Sequence, residues 1–336
     1  MKDTSVSSLD DETLGAVLEY LQTVAISLPQ AVVQEVDLAP IAPATAPEVL
    51  AAEIAQFDAE QLLYSFKHYQ VFYGTQAQMP VVLGEITRLR ELTFRQMQEG
   101  SGQAVDTDEY DASYLHLFVW DIQAQAIVGG YRLGRTDDLL TSGNRAVYLA
   151  EMFDFGASFY EGAPKLEIGR SFVVPEYQRS HHSLSLLWCG IGQYIVRHPK
   201  YRMVYGVVSM SRLYDPTTIA AIRDALVEPD EDVRAKAPYE PQLGQPWRDF
   251  VGDLSRPLGM KLVSQIVRGL ESGERDVPIL IKHYHKLGAR FVSAAVDSSF
   301  NNTPGLLLCL DVPNIPQKYL KQYLREGAQA YLDYSS

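Results

Sequence analysis

The segment LEIGRSFVV, residues 166–174, holds two charged side chains within an otherwise apolar run, Glu167 and Arg170. A carboxylate on a half-buried strand can accept a proton from an ammonium group or orient it. Side chains alternate along a strand, so these two should emerge on opposite faces unless a bulge intervenes, and Gly169 is where a bulge would be tolerated. A Glu–Arg ion pair in the core is the structural alternative. Arg132, in YRLGR, completes this set of charges within apolar strands.

The turn after this segment is the second place where the sequence indicates chemistry. It groups cationic and hydroxyl side chains at the start of an amphipathic helix, namely Arg179, Ser180, His181, His182 and Ser183. The N–H groups and the positive end of a helix favour a small anion such as a phosphate or pyrophosphate. A solvated helix start capped by serines is the simpler alternative. Residues 161–212 carry seven Lys or Arg against three Asp or Glu, which supports the anion site.

Two acidic runs are candidates for binding a cationic substrate or a divalent ion. One is DTDEYD at residues 106–111, and the other, YLAEMFD, contains Glu151 and Asp154. Their spacing fits no calcium loop, and no metal site is predicted. The cysteines, Cys189 and Cys309, lie in apolar runs without metal-ligand spacing, which favours free thiols and a reducing compartment. The protein is therefore expected to be cytoplasmic.

The first part of the chain is unusually acidic. The 336 residues have a formal net charge of −13, which argues against a nucleic-acid partner because phosphates need a cationic face. Residues 1–69 alone hold eleven Asp or Glu against two Lys or Arg. Helical patterns at 12–28 and from Pro47 flank a Pro/Ala-rich linker. We predict an acidic helical extension over residues 1–70, which serves either as a docking or regulatory segment or as a packing extension.

From about residue 80, helices and strands alternate. Strands are predicted at 114–121, 126–134, 165–174, 202–210 and 305–312. A helix with one apolar face separates the strands at 165–174 and 202–210 and ends at Pro199. A helix followed by a further strand occupies residues 278–296. This order predicts one α/β domain with mixed strand directions over residues 71–336.

Seven blocks of sequence carry a family resemblance: LEIGRSFVVPEYQ…LLWCGIGQYI, YRMVYGVVSMS, GSGQAVDTDEYD…HLFVWD, YRLGR, YLAEMFDF, VPILIKHYHKLGARF and FNNTPGLLLCLDV. They resemble, in the same order, the GNAT-fold N-acyltransferases that make ornithine and glycine lipids, many of which are labelled "hemolysin". The resemblance covers roughly residues 80–312. It extends to the acyl-homoserine-lactone synthases at the positions corresponding to Arg132, Glu167 and Arg170.

The resemblance implies a GNAT-like mixed, splayed β-sheet flanked by helices. It also implies transfer of a long-chain (3-hydroxy)acyl group from an acyl-carrier-protein or coenzyme A thioester to the amine of an amino acid, with no permanently bound cofactor. The segment QRSHHS lacks the glycines of the usual GNAT phosphate loop, which favours acyl carrier protein as the donor and partner. Because the protein is acidic overall, an acidic carrier would have to dock on the positive region at 161–212.

Each residue then has an expected role. Backbone N–H groups of Phe172, Val173 and Val174 polarise the thioester carbonyl. Glu167 accepts a proton from the substrate ammonium, and Arg132 or Arg170 holds its carboxylate. Tyr214 is a candidate to protonate the leaving thiolate, with an exposed or core tyrosine as the alternative. The candidates for substrate binding are Glu151, Asp154, Ser209 and Ser211.

Two other hypotheses stay open. The missing loop glycines, and Arg212 where relatives often have Asn, motivate a non-catalytic protein that binds an acyl carrier or lipid on the same scaffold. The C-terminal Tyr/Leu-rich helix motivates peripheral attachment to the cytoplasmic membrane surface, with packing on the domain as the alternative.

Overall fold

A computed structural model describes residues 9–27, 38–180, 182–253 and 258–334. The strands in these ranges are β1 (Leu62–Phe66), β2 (Tyr69–Gly74), β3 (Leu115–Asp121), β4 (Ala126–Arg135), β5 (Phe153–Phe155), β6 (Lys165–Val173), β7 (Met203–Ser209), β8 (Val233–Ala235), β9 (Arg290–Asp297) and β10 (Thr303–Asp311). One mixed sheet has the order β1-β2-β3-β4-β6-β7-β10-β9, and β5 pairs with β8 apart from it.

Helices cover both faces of this sheet. They are α1 (Asp11–Ser27), α2 (Pro47–Ile54), α3 (Pro80–Arg95), α4 (Thr136–Leu139), α5 (Leu149–Met152), α6 (Ala157–Glu161), α7 (Ser183–Arg197), α8 (Pro216–Leu226), α9 (Gly244–Asp253), α10 (Met260–Leu270), α11 (Ile279–Leu287), α12 (Gln317–Leu324) and α13 (Ala328–Asp333). The predicted α/β class with mixed strand directions is confirmed.

The predicted boundary at residue 70 falls inside the β1–β2 hairpin. This hairpin extends the main sheet through the pairing of β2 with β3, and it buries Val71 and Phe72. The described part of the Pro/Ala stretch is also attached, since the N–H groups of Ala39 and Ala42 donate to carbonyls of Gly102 and Ala104. Helix α1 packs on α8 and α10, and α2 packs on α3. The described N-terminal helices therefore pack on the main body.

The crossover from β6 through α7 to β7 is the part of the fold that builds the site. The apolar face predicted for α7 is buried, with Leu187 and Ile191 fully covered. A Cβ added to Gly190 would lie 2.5 Å from a Val71 methyl carbon, so this glycine lets α7 approach the sheet closely. β6 and β7 are parallel neighbours, as a helical crossover requires.

β6 and β7 pair over only part of their length. The pairing runs from Lys165 opposite Met203 to Ile168 opposite Gly206. Beyond that point β6 stays with β4, whereas β7 stays with β10 as far as Ser209. The two strands therefore diverge and leave an opening between them, which confirms the splayed sheet.

β6 contains a bulge where it leaves β7. Gly169 lies opposite Arg132 and Phe172 opposite Gly130, so two residues of β6, Arg170 and Ser171, face one residue of β4. Arg170 has the left-handed backbone angle φ of 48°. A bulge therefore does intervene, directly after Gly169 where one would be tolerated, and it changes the side-chain alternation between Glu167 and Arg170.

The C-terminal helices pack on the domain. Their buried residues are Leu320, Tyr323, Leu324 and Tyr331, and α12 lies against α7. Most of the Tyr/Leu face proposed for membrane attachment therefore packs on the domain, whereas Leu332 is exposed. Among the helices in the described ranges, none is long and apolar enough to cross a membrane. Cys189 and Cys309 are free thiols.

Candidate active site

A cavity lies at the divergence of β6 and β7, between α3, the start of α11 and the β9–β10 connection. Its polar or charged lining residues are Arg132, Tyr148, Glu167, Arg170, Ser171, Ser209, Asp297 and Thr303. Apolar groups close the remaining walls, among them Phe94, Met152, Val207, Leu280 and Phe300. The three charged residues singled out in the apolar strands, Glu167, Arg132 and Arg170, are thus brought to one cavity.

Glu167 is a buried carboxylate on the wall of this cavity. The Tyr114 hydroxyl donates to Oε2 of Glu167 at 2.7 Å, and the N–H of Tyr148 donates to that hydroxyl at 2.7 Å. Burial raises the pKa of Glu167 to about 7, although Tyr114 and Arg132 oppose the rise. Within the described structure no cation lies within ion-pair distance of Glu167, so its carboxylate is not sealed against an arginine. A pKa near 7 suits a base that works at neutral pH.

Arg132 and Arg170 are held by the acidic run at residues 106–111. Nη1 of Arg132 lies 3.2 Å from Oδ1 of Asp111 and also contacts Asp108. Nη2 of Arg170 donates to Oδ2 of Asp108 at 3.1 Å. Both guanidinium groups also lie over the Tyr148 ring. These contacts fix the arginines at the cavity wall.

Arg90 on α3 is a third guanidinium in this cluster, and the sequence analysis missed it. It donates to both oxygens of Asp111 at 2.9 Å and lies 2.9 Å from Oδ2 of Asp106. The neighbouring arginines lower the pKa of the Asp111 carboxyl well below its usual range, against the effect of burial. The three aspartates of this run are therefore engaged by arginines, which does not support the expectation that they bind a divalent ion or a cationic substrate.

Tyr214 does not lie at the cavity. After β7 the chain turns at 211–214, and the Tyr214 hydroxyl donates to the Asp276 carbonyl at 2.6 Å. Burial raises its pKa to about 12. This placement does not support the prediction that Tyr214 protonates the leaving thiolate.

The proposed substrate-binding residues separate into two groups. Ser209 lines the cavity, where its hydroxyl donates to Oε2 of Glu99 at 3.0 Å. Ser211 lies behind it and donates to the Met97 carbonyl, so its role in binding is not supported. Asp154 pairs with Arg234 on β8 at 2.7 Å, on an exposed surface.

Glu151 is exposed on α5, whose neighbouring residues Leu149 and Met152 face the cavity. Neighbouring side chains of a helix differ in direction by about 100°, so Glu151 points away from the cavity. Among the described lining residues neither Glu151 nor Asp154 is present, so the cavity does not support the prediction that this acidic run binds substrate.

The backbone at residues 172–174 offers one N–H to the opening rather than three. The N–H of Val174 donates to the Val128 carbonyl at 3.0 Å. Because N–H groups alternate in direction along an antiparallel strand, that of Phe172 also points to β4. The N–H of Val173 points to the side from which β7 has diverged, and it is the candidate donor to a thioester carbonyl.

The turn before α7 is placed at the surface. Arg179 and His182 are exposed, the N–H of His182 donates to Oγ of Ser180 at 3.3 Å, and Oγ of Ser183 donates to the Tyr177 carbonyl at 2.9 Å. His181 lies outside the described residues. The role of this turn in binding an anion stays a prediction.

Two further buried carboxylates were not predicted, Asp297 on the cavity wall and Glu99, which accepts a hydrogen bond from the cavity-lining Ser209. Asp297 accepts from the Tyr148 hydroxyl and from N and Oγ of Ser299. Glu99 lies in a tight loop after α3, where Gly100 has φ of 92°. Burial raises the pKa of Glu99 to about 7. The sequence signal was the GSGQ segment directly after Glu99, which the resemblance includes without pointing to the glutamate.

Comparison with known proteins gives this site its class. The acetyltransferase (GNAT) domain family matches residues 89–189, which span α3 to α7 and include the cavity arginines. A glycine N(alpha)-acyltransferase of Phocaeicola vulgatus is 36% identical over 180 residues, 50% of this chain and 55% of that protein. A second one, from Bacteroides thetaiotaomicron, is 35% identical, so the chain spans about half the length of these two relatives.

An L-ornithine N(alpha)-acyltransferase of Agrobacterium fabrum is 30% identical over 243 residues, which cover 70% of this chain and 77% of that protein. The chain therefore belongs to the GNAT-type family of amino-acid N-acyltransferases. Among solved structures, an N-acyl amino acid synthase from uncultured soil microbes aligns with 78% of this chain at 13% identity and a TM-score of 0.38.

Proposed function

We propose that this protein is an N-acyltransferase that moves a long-chain (3-hydroxy)acyl group from a thioester to the amine of an amino acid. The observation that carries the proposal is the position of Glu167, a buried carboxylate with a pKa of about 7 on the wall of the opening between β6 and β7. Membership of the amino-acid N-acyltransferase family supports the same assignment.

The reaction divides into proton removal, attack and collapse. Glu167 takes one proton from the substrate ammonium, directly or through a water molecule, which leaves a neutral amine. The nitrogen attacks the thioester carbonyl, whose oxygen accepts a hydrogen bond from the N–H of Val173, and the C–N bond forms. The C–S bond then breaks, and the thiolate takes the second proton released by the nitrogen. The products are an amide and a free thiol.

Arg132 and Arg170 bind the substrate carboxylate in this proposal. A guanidinium has five N–H donors, and the aspartates occupy only part of each set. Both residues line the cavity, and we assign their remaining donors to the substrate carboxylate. The aspartates thus hold the arginines in place, which reduces the entropy lost when the substrate binds.

The acyl donor is either acyl carrier protein or coenzyme A. The glycine-free QRSHHS segment favours the carrier protein, whose pantetheine arm brings a single phosphate to the start of α7. Exposed Arg179 is the cation at that position. The protein would act in the cytoplasm and release its lipid product at the membrane surface by a face other than α12 and α13, which are packed on the domain.

The test is an acylation assay with the purified full chain. The same 3-hydroxyacyl group is supplied on coenzyme A and on holo acyl carrier protein, with a panel of amino acids, and free thiol and N-acyl product are measured. The proposal expects both to appear together with at least one donor. Thermal stabilisation by the thioester without its consumption would instead favour a non-catalytic binding protein.

A further inference from the structure

Ser171 is a cavity-lining residue to which the reaction described above gives no role. It lies on β6 two residues before Val173, whose N–H is the candidate donor to the thioester carbonyl. It is also the second residue of the β6 bulge, so its neighbour on β4 is Tyr131. The Ser171 hydroxyl is therefore close to the carbon at which the acyl group would be transferred.

The bulge leaves Ser171 and Glu167 on opposite faces of the sheet. Leu166 and Ile168, on either side of Glu167, are buried in the core under α7, so Glu167 points to the other face. Val173 packs on that same core under α7. Because side chains alternate along a strand, Ser171, two residues earlier, points to the α7 face as Val173 does. The cavity thus has a carboxylate on one face and a hydroxyl on the other.

Two buried tyrosine hydroxyls continue from Ser171 into the core. The hydroxyls of Tyr131 on β4 and Tyr284 on α11 lie 3.3 Å apart. The Ser171 side chain also interacts with the Tyr131 hydroxyl. Burial raises the pKa of both tyrosines, so both hydroxyls keep their protons at neutral pH. The three side chains form one row of hydroxyl groups that ends at the cavity.

The buried donors of this row determine the direction of its hydrogen bonds. In the described ranges the Tyr284 hydroxyl has one hydrogen-bond partner, Tyr131, so its proton is satisfied only if Tyr284 donates to the Tyr131 oxygen. The buried N–H of Trp188 has no hydrogen bond of good geometry in the described chain, and Tyr131 is the hydroxyl with which it interacts. The Tyr131 proton is then left for the Ser171 oxygen, and the Ser171 proton points into the cavity.

We propose that the Ser171 hydroxyl donates to the sulfur of the acyl donor and protonates it as the acyl group leaves. The inference rests on the proposed function, in which the amine lies beside Glu167 and the carbonyl oxygen accepts from the N–H of Val173. A pantetheine arm that approaches from the start of α7 brings its sulfur to the face to which Ser171 points.

The step balances with the serine unchanged. When the C–S bond breaks, its electron pair stays on sulfur, which takes the Ser171 hydroxyl proton. The Ser171 oxygen takes the second proton that the nitrogen releases. One hydroxyl can contact both atoms because nitrogen and sulfur are bonded to the same carbon before collapse. Tyr131 and Tyr284 act through Ser171, so they are positioning residues.

The experiment varies the leaving thiol in the full chain. The same acyl group is supplied on phosphopantetheine, an alkyl thiol, and on nitrothiophenol, whose thiolate leaves without a proton. Ser171→Ala should lower kcat/KM about 10²-fold for the alkyl thioester and by no more than about threefold for the aryl thioester. Tyr131→Phe and Tyr284→Phe should show the same difference with smaller losses. Ser142→Ala, at an exposed serine, is the matched control and should keep the wild-type values.

Binding of free phosphopantetheine separates the two proposals, since it needs no turnover. A hydrogen bond from Ser171 favours the thiolate, so the pKa of the bound thiol should be about one pH unit higher in Ser171→Ala than in the wild type. The ultraviolet absorbance of the thiolate measures it. That result supports the sulfur site even if no amino acid is acylated, in which case the proposed function fails alone. Equal pKa values in the two proteins, or equal losses with both thioesters in an active enzyme, overturn the role of Ser171 alone.

Discussion

The acidic runs at residues 106–111 and 148–154 look alike in sequence but lie in opposite environments, one buried and one exposed. Residues 106–111 are drawn inward by three guanidinium groups and become the support of the cavity arginines. Asp154, in the other run, is about half exposed and pairs with a surface arginine. Carboxylate density therefore does not indicate a site by itself. Buried cations on neighbouring elements decide which acidic run is drawn into the interior.

We expect the largest effect from a change of Glu167, the cavity carboxylate proposed to act as the base. Glu167→Gln keeps the shape of the side chain and its contact with Tyr114 but removes the base, so turnover should fall about 10²–10⁴-fold. Thiol release at saturating donor measures the loss. Tyr114→Phe is the matched variant, because it removes the hydrogen bond and keeps the carboxylate, and it should retain more activity. Undiminished turnover in Glu167→Gln would remove this residue from the mechanism.

The next effect concerns stability. Asp111→Asn removes the buried carboxylate that Arg90 and Arg132 share and leaves two aspartates for three buried guanidinium groups, so the free energy of unfolding should fall by about 3–5 kcal/mol. Urea unfolding followed by circular dichroism gives this value. A loss below about 1 kcal/mol would mean that the ion pairs of residues 106–111 stabilise the fold no more than a surface ion pair does.

The third prediction concerns how activity depends on pH through Glu167. Burial raises the pKa of Glu167 to about 7, and the base must be ionised, so kcat/KM should rise with pH and level off above about 7. Below that value the rate should fall about tenfold per pH unit. A profile without this acidic limb would contradict the assignment. The sign for stability is opposite: because folding raises this pKa, the contribution of Glu167 to stability decreases as pH rises from the unfolded value toward 7.

We expect the smallest effect in the exposed acidic run at residues 148–154. Asp154→Asn removes an exposed pair with Arg234, so stability should change by less than about 1 kcal/mol and kcat/KM should stay at the wild-type value. The same unfolding and thiol-release measurements check both. A loss of activity in Asp154→Asn would show that the run at residues 148–154 takes part in substrate binding.

The long, periodic elements could be predicted from sequence, and the short ones could not. The strands at 115–121 and 165–173 and helix α7 have clear apolar patterns over many residues. The β1–β2 hairpin turns at Lys67 and His68 without a glycine or asparagine, so its turn carries no recognisable signal. The pair β5–β8 has three residues in each strand and gives no periodicity to detect.

The site divides in the same way. Glu167, Arg132 and Arg170 could be found because charges within apolar strands are conspicuous. Glu99 and Arg90 could not, since a glutamate before Gly-Ser-Gly and an arginine in an amphipathic helix are ordinary surface residues in a sequence. Their burial depends on contacts with Ser209 and Asp111, which are distant along the chain.

The most direct test of the account is the crystal structure of the protein with a non-cleavable thioether analogue of the acyl donor and an amino acid. We expect the analogue's carbonyl oxygen in the opening between β6 and β7, within hydrogen-bond distance of the N–H of Val173, and the amine beside the Glu167 carboxylate. Clear density for the analogue at another surface, with β6 and β7 closed against each other, would contradict the account.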